Sequence, residues 1–280
     1  MLPLVTPYWT PGHNFISEIV KAVGGKVKDG DYVVVSEKAI STALGNVRDE
    51  EDVKAGLMAH LLARFWTRIV WGFFLGRLCR LRNDTVERIR KYPLSEGGRH
   101  KQTVLDNAGF LNALMFGSEG GIDGVNLPYS LVALPIPNPT AQAETIRKAL
   151  LNRLNVNATL IISDTDKTYT WRNLHFTPRP TQVRGIHSHG GFLSYLFGRM
   201  FKLDRDPTPL AVAGDEVNVG EALKLAEVAN KARGHGASRT IVGMGSAFGV
   251  PFDRVTWEML DKVTHRPIVI IRQIHHERVK

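Results

Sequence analysis

The segment Leu160-Ile161-Ile162-Ser163-Asp164-Thr165 constrains this chain more than any other. Its Ile-rich apolar run reads as a buried strand. The run stops abruptly at a carboxylate flanked by two hydroxyls, which predicts a strand tip that carries Asp164. Hard cations such as Mg2+ take carboxylate, hydroxyl and water oxygens and usually share them with substrate phosphates. A second acidic loop lies upstream in Gly120-Gly121-Ile122-Asp123-Gly124-Val125-Asn126. Each loop alone is also what a cap or a turn looks like; together they suggest a metal–phosphate centre.

With 280 residues, 43% of them hydrophobic, the chain can bury a sizeable core and is not expected to be disordered. The single cysteine, Cys79, has no partner in the chain, which fits a reducing compartment, and a cytoplasmic location is the expectation. A formal charge of +9 and a pI near 9.7 favour anionic ligands such as nucleotides, phosphorylated coenzymes or glutamate. No arginine-rich tail or aromatic RNA-binding motif accompanies that charge, so nucleic acid is not an expected partner. The start, Met1-Leu2-Pro3-Leu4-Val5-Thr6-Pro7, lacks the basic and apolar regions of a signal peptide. The most membrane-like stretch, Gly56 to Leu81, is interrupted by Arg64, Arg68, Arg77 and Arg80. A spanning helix tolerates few charges, so this one reads as amphipathic or buried, and its aromatics would suit a dimer interface.

Helical spacing marks Phe15–Val23, Val53–Leu81, Asp84–Tyr92, Thr140–Leu154 and a helix from Asp215-Glu216 to about Ala232. Strands are expected at Tyr32–Val35, Leu131–Pro135, Ala158–Ile162, Leu210–Ala213, Thr240–Met244 and Ile268–Ile271. Glu37–Gly45 reads as a turn region, Leu94–Lys101 as a Gly-rich basic loop, and residues 173–209 as irregular. The mixture, without repeats, a GxGxxG or a Walker loop, predicts an α+β (mixed α/β) fold of uncommon topology. A single domain over residues 1–280 is expected, with room for a small subdomain around 165–215.

Several stretches, in order, resemble the coenzyme F-420-0:L-glutamate ligase family. Pro11-Gly12-His13-Asn14 is similar to that family's turn before its first helix, and Asp29–Lys38 to its Gly-Asp strand ending near a Lys. Gly121–Asn126 is similar to its Gly-Val-Asp-x-Ser-Asn motif, and Leu131–Pro139 to its Leu-Leu-Pro-x-Asp-Pro stretch. Ile161–Thr165 followed by Trp171-Arg172 resembles its Ile-Ser-Asp-Thr…Trp-Arg run. Phe197-Gly198-Arg199 resembles its Tyr-Gly-Arg, and Ala213–Glu216 its Ala-Asp-Glu. The resemblance implies a gamma-glutamyl ligase-like fold, GTP as co-substrate, two Mg2+ or Mn2+ ions, and a homodimer. It implies an acyl-phosphate mechanism that joins L-glutamate to the coenzyme carboxylate. By the same carry-over Asp123 and Asp164 hold the first metal, Thr165 and Glu227 contribute to the second, and Lys38, Ser41 and Asn126 touch the nucleotide.

The departures are as concrete. The family's Ser-Lys-Ala-Glu-Gly-Arg turn is Ser41-Thr42-Ala43-Leu44-Gly45-Asn46 here, so the expected phosphate lysine is Thr42, and Lys38, one helical turn away, is the substitute. The Ser of the Asp123 motif is Val125, and Ala226 replaces the Gly before the Glu227 position. Leu57–Lys101 shows no useful similarity. These departures keep two alternatives open: a folate or pterin glutamate ligase, for whose flat ring Trp66, Trp71 and Phe73 are candidates, and a nucleotide- or coenzyme-binding relative without turnover. His187 and His189 are spaced to chelate but lack a nearby carboxylate or thiol to complete a zinc set, and His275-His276 reads as solvent-facing. Arg172 and Arg199, each following an aromatic stretch, are candidate phosphate or carboxylate forks.

Overall fold

The computed structural model describes residues 1–117 and 119–272. It is mixed α/β. The main sheet takes strands from both ends of the chain: β1 (Leu2–Thr6), β2 (Tyr32–Ser36), β5 (Thr159–Trp171), β6 (Leu174–Phe176), β7 (Ile186–His187), β8 (Asp204–Ala213) and β9 (His265–Ile271). They run β1-β9-β2-β5-β6-β7, with β8 paired to β5 as well. Two short strands, β3 (Val47–Asp49) and β4 (Leu131–Ala133), form a separate antiparallel pair.

Alternation along the central strands builds two cores. Val33, Val35, Leu160, Ile162, Ile268 and Ile270 face one side, where they pack with α1 (Phe15–Val23) and α8 (Pro139–Leu154). Val34, Ile161, Val269 and Ile271 face the other side and meet Leu225 and Ala229 of α10 (Val219–Arg233). This is the period-two pattern of a sheet buried on both faces. Helix α1 begins where the Asn14 side chain accepts from the Ser17 amide, and it buries Phe15, Ile19 and Val23 one turn apart. Helix α8 starts with Pro139 behind the Asn138 cap and ends at Asn155 in a left-handed conformation.

A helical arm occupies residues 57–113. It comprises α3 (Leu57–Leu61), a π-helical run Leu62–Leu75, α4 (Gly76–Leu78), α5 (Asn83–Arg90), α6 (Leu94–Ala108) and α7 (Phe110–Ala113). Leu62, Ala63, Thr67 and Trp71 are buried, whereas Leu57, Leu61, Phe65, Ile69 and Phe73 form an exposed apolar stripe. No helix among the described residues is long and apolar enough to cross a membrane.

Several expectations change. Leu94–Lys101 is not a loop but the first half of α6. Its glycines serve close packing: a Cβ on Gly97 would lie 2.2 Å from Tyr92, and one on Gly98 3.0 Å from His60. Thr240–Met244 is not a strand, because Thr240 accepts from the Gly243 amide and caps helix α11 (Ile241–Phe248). Glu37–Gly45 is helix α2 (Glu37–Ala43) with its turn at Gly45. The stretch 173–209 holds β6, β7, helix α9 (Phe192–Met200) and the start of β8. Pro207 and Pro209, which suggested irregularity, sit where the β5–β8 register shifts; such bulges are the places a sheet accepts proline. The 53–81 helix begins at Leu57, and the Asp215 helix at Val219 behind an Asn218 cap. His275 and His276 lie outside the described residues.

Candidate functional site

Strands β2 and β5 are parallel neighbours, with Ser36 opposite Ser163. The crevice beyond the carboxyl ends of parallel strands is where α/β sheets bind ligands. Beyond Ser36 the chain enters α2 at Glu37 and Lys38; beyond Ser163 comes Asp164. That residue is not at a strand tip as expected, because β5 runs on to Trp171. The apparent stop is a bulge, with Asp164 opposite Thr208 and Lys167 opposite Pro207, so that Thr165 and Asp166 bow out of the ladder. Bulges of this kind re-aim side chains beside functional sites.

Arg179, which the sequence reading passed over, ties these segments together. Its guanidinium lies 3.0 Å from Glu37 Oε1 and 2.9 Å from Asp164 Oδ2, and it donates to the Gly120 carbonyl at 2.5 Å. The side chain is 2% exposed. A Cβ on Gly121, whose φ is +92°, would fall 2.0 Å from Arg179 Nη1. Gly121 therefore makes room for the buried cation, Gly120 offers it a carbonyl, and the turn leads the chain into Asp123. That glycine pair was the one sequence signal for Arg179, and it names no partner. Burial lifts the Glu37 carboxyl to about 7 against the pull of Arg179. Burial opposes the charge on Arg179, but Glu37 and Asp164 outweigh it and hold the guanidinium above its ordinary value.

Asp123 is paired differently. Its Oδ2 meets the Lys38 ammonium, which also donates to the Val125 carbonyl at 3.1 Å, and its Oδ1 accepts from the Val125 amide at 2.7 Å. Asn126 has a left-handed backbone, φ +60°, and clamps the glycine-rich loop after α10. Its amide nitrogen donates to the His235 carbonyl at 3.0 Å, and its oxygen accepts from the Ala237 amide at 2.9 Å. Tyr8 Oη donates to the Asn126 carbonyl at 2.5 Å; burial first and Asp123 second push that phenol well above its usual range.

Lys38, Thr42, Asp123, Asn126, Asp164, Thr165 and Lys167 all line one cavity of about 1470 Å3. Helices α5 and α6 of the arm form one wall, and residues 230–244 another. On the arm wall, His100 is 2.7 Å from Glu50 Oε1. Burial disfavours the imidazolium, but Glu50 and then Glu119 overcome it and raise His100 to about 9. Behind it the buried Lys101 ammonium donates to Ala113 O, Met115 O and Glu119 Oε1.

The structure thus gathers five of the expected site residues, Lys38, Asp123, Asn126, Asp164 and Thr165, and leaves two aside. Ser41 is fully buried and donates to the Leu134 carbonyl at 2.6 Å. Glu227 is not on the cavity wall; it pairs with Lys231 at 3.0 Å and Lys167 at 3.9 Å. Asn126 shapes a loop by hydrogen bonds that occupy both its amide atoms. Among the described residues no three His, Cys, Asp or Glu side chains cluster to hold a metal. Asp123, Asp164 and the Thr165 hydroxyl line the same cavity, and their oxygen donors are of the type that suits Mg2+, which is usually held by one or two carboxylates plus substrate phosphates. Trp66 and Trp71 do not line the cavity, since both indoles donate to the Leu114 carbonyl, and Phe73 lies outside it under Arg90. Arg199 donates to the Cys79 and Arg80 carbonyls rather than to the cavity.

Comparison with known proteins places the chain in a family. An uncharacterized protein of Methanocaldococcus jannaschii is 35% identical over 283 residues, which cover 96% of this chain and 95% of the relative. The sequence model of the F420-0:gamma-glutamyl ligase family matches residues 3–229, a span that carries β2, Asp123, the Asp164 bulge and Arg179. The chain belongs to the F420-0:gamma-glutamyl ligase family.

Proposed function

We propose that this chain is a nucleotide- and metal-dependent ligase that forms a gamma-glutamyl amide between L-glutamate and a coenzyme carboxylate, with the deazaflavin coenzyme F-420-0 as acceptor and GTP as phosphoryl donor. The observation that carries the reading is the convergence of Lys38, Asp123, Asp164 and Thr165 on one large cavity in a member of this family. A carboxylate oxygen of the acceptor attacks the terminal phosphorus of the nucleotide, the bond to the bridging oxygen breaks, and the nucleoside diphosphate leaves an acyl phosphate behind. The glutamate amine then attacks the activated carbonyl, the C–N bond forms, and inorganic phosphate leaves as the amine loses its proton. Such chemistry needs positioning and charge neutralisation more than a protein nucleophile. Asp123, Asp164 and Thr165 would hold Mg2+ or Mn2+, which supplies neutralisation of phosphate charge. Lys38 is within reach of the same phosphates once it leaves Asp123.

Incubation with GTP or ATP, Mg2+ or Mn2+, glutamate and candidate acceptors, read by mass spectrometry, tests the reaction; the expected product is an acceptor heavier by one glutamyl residue. A pterin or folate product in place of the deazaflavin would redirect the acceptor assignment. Asp123→Asn and Asp164→Asn are each expected to weaken metal–nucleotide binding in calorimetry, and unchanged affinity in both would remove the metal assignment. One observation favours a second reading. Each site carboxylate already has a cation from the chain, as expected of a coenzyme- or nucleotide-binding relative without turnover; binding without product would select it. The exposed stripe Leu57, Leu61, Phe65, Ile69 and Phe73 is of the kind that needs cover, and a homodimer is the proposed cover. Light scattering at micromolar concentration that returns the mass of one chain would refute the dimer.

A further inference from the structure

Arg233 is the last residue of α10 and lies on the cavity wall, four residues beyond the end of the family match at residue 229. Its guanidinium is poorly matched to its surroundings. Nη2 donates to the Ser163 hydroxyl at 3.1 Å, beside Asp164, while Nη1 is buried with no hydrogen-bond partner. No carboxylate comes within ion-pairing distance of it among the described residues, in contrast to Arg179, which has two. A buried guanidinium without an anion is costly, and such groups persist where a ligand completes them. Burial depresses this arginine to about 10, with Asp164 only partly restoring it, which agrees with that mismatch. The loop that follows, Gly234–Thr240, also lines the cavity and is held in place by Asn126.

We propose that Arg233 is an oxyanion-binding residue of the cavity, its guanidinium turning to donate to a phosphoryl or carboxylate oxygen of a substrate held beside Ser163 and Asp164. The planar fork of arginine suits either anion. The identity of the oxyanion rests on the ligase reading, and its possible sources are the nucleotide phosphates, the glutamate carboxylates and the acceptor.

The test is direct binding to the full chain. Wild type, R233M and R233K are titrated by calorimetry with Mg2+-GTP, L-glutamate, F-420-0 and inorganic pyrophosphate, and their thermal unfolding is followed without ligand. R233M is expected to lose tenfold or more in affinity for at least one of these probes, with R233K in between. The probe that loses affinity identifies the source of the oxyanion. R233M is also expected to melt no lower than wild type, because it removes an unmatched buried charge; a structural arginine would behave in the opposite way. Affinities within twofold of wild type for every probe, or no binding of any probe to wild type, would overturn the proposal. Should R233M fail to fold, R233K decides, since a threefold or greater loss supports the assignment and wild-type affinity overturns it. Failure of the ligase reading looks different: no glutamylated product forms although Arg233-dependent binding persists.

Discussion

Lys38 and Asp123 meet where 24% and 21% of their respective side chains remain exposed; Asp164 meets Arg179, of which 2% is exposed. Both carboxylates line the same cavity. Lys38 is a point charge on a flexible stem, anchored otherwise by one carbonyl. Arg179 is a planar fork held by two carboxylates and a carbonyl, with a glycine turn that accommodates it. A partly exposed pair exchanges partners at smaller cost than a buried one. The difference assigns them separate work. On the proposed ligase reading Lys38 would release Asp123 to a metal or turn to a phosphate, while Arg179 keeps Asp164, Glu37 and the Gly120 turn in register.

The comparison breaks most readily at Arg179. Arg179→Met should strand the carboxylates of Glu37 and Asp164 and cost about 3–5 kcal/mol, measured by urea unfolding; a loss below about 1 kcal/mol would remove the distinction between the pairs. Lys38→Met should act on ligand rather than fold, with loss of a charged hydrogen bond worth about 1.5–3 kcal/mol, or roughly ten- to a hundredfold in nucleotide affinity by calorimetry. If that affinity is untouched, Lys38 is only Asp123's partner.

The His100–Glu50 pair, of intermediate burial, supplies a pH test. Folding raises His100 from 6.5 to about 9, so its contribution to stability is complete below pH 6.5 and is lost as pH climbs through 9. One group changes stability by at most about 1.4 kcal/mol per pH unit. His100→Gln should flatten that slope between pH 6.5 and 9 in denaturation series, and an unchanged slope would place the titration elsewhere. The smallest expected effect is the stability cost of Lys38→Met, about 0–1 kcal/mol. Anything near the Arg179 value would mean that Lys38 is locked too.

Much of this molecule was legible before any coordinates. Val33–Val35 and Leu160–Ile162 announce buried strands by their unbroken apolar runs, and helical spacing marks Phe15–Val23 and Thr140–Leu154. Asp123 and Asp164 stood out as carboxylates in unusual company, and the structure brings them to one cavity. What stayed hidden depends on partners distant in sequence. Arg179 gains its meaning from Glu37, Gly120 and Asp164, and Arg233 from Ser163. Gly97 and Gly98 looked like a loop because a glycine that yields to Tyr92 or His60 is written with the same letter as one that turns the chain. The Asp164 bulge looked like a strand end because its polar residues pair with β8, whose own prolines disguised it.

Strand β9 sits between β1 and β2 and pairs with both. It is the last of the described strands to leave the ribosome, yet it fills an interior slot next to the first. Until it arrives, β2 presents an open edge, and β1 has no pairing partner in the sheet. The nascent chain therefore has to wait for residues 265–271 before the sheet can close, a high contact-order route that is slow and exposes unpaired edges to neighbours. A fragment cut where the family match stops, at residue 229, would lack that keystone; during overproduction it belongs with aggregates and chaperones rather than with a minimal enzyme.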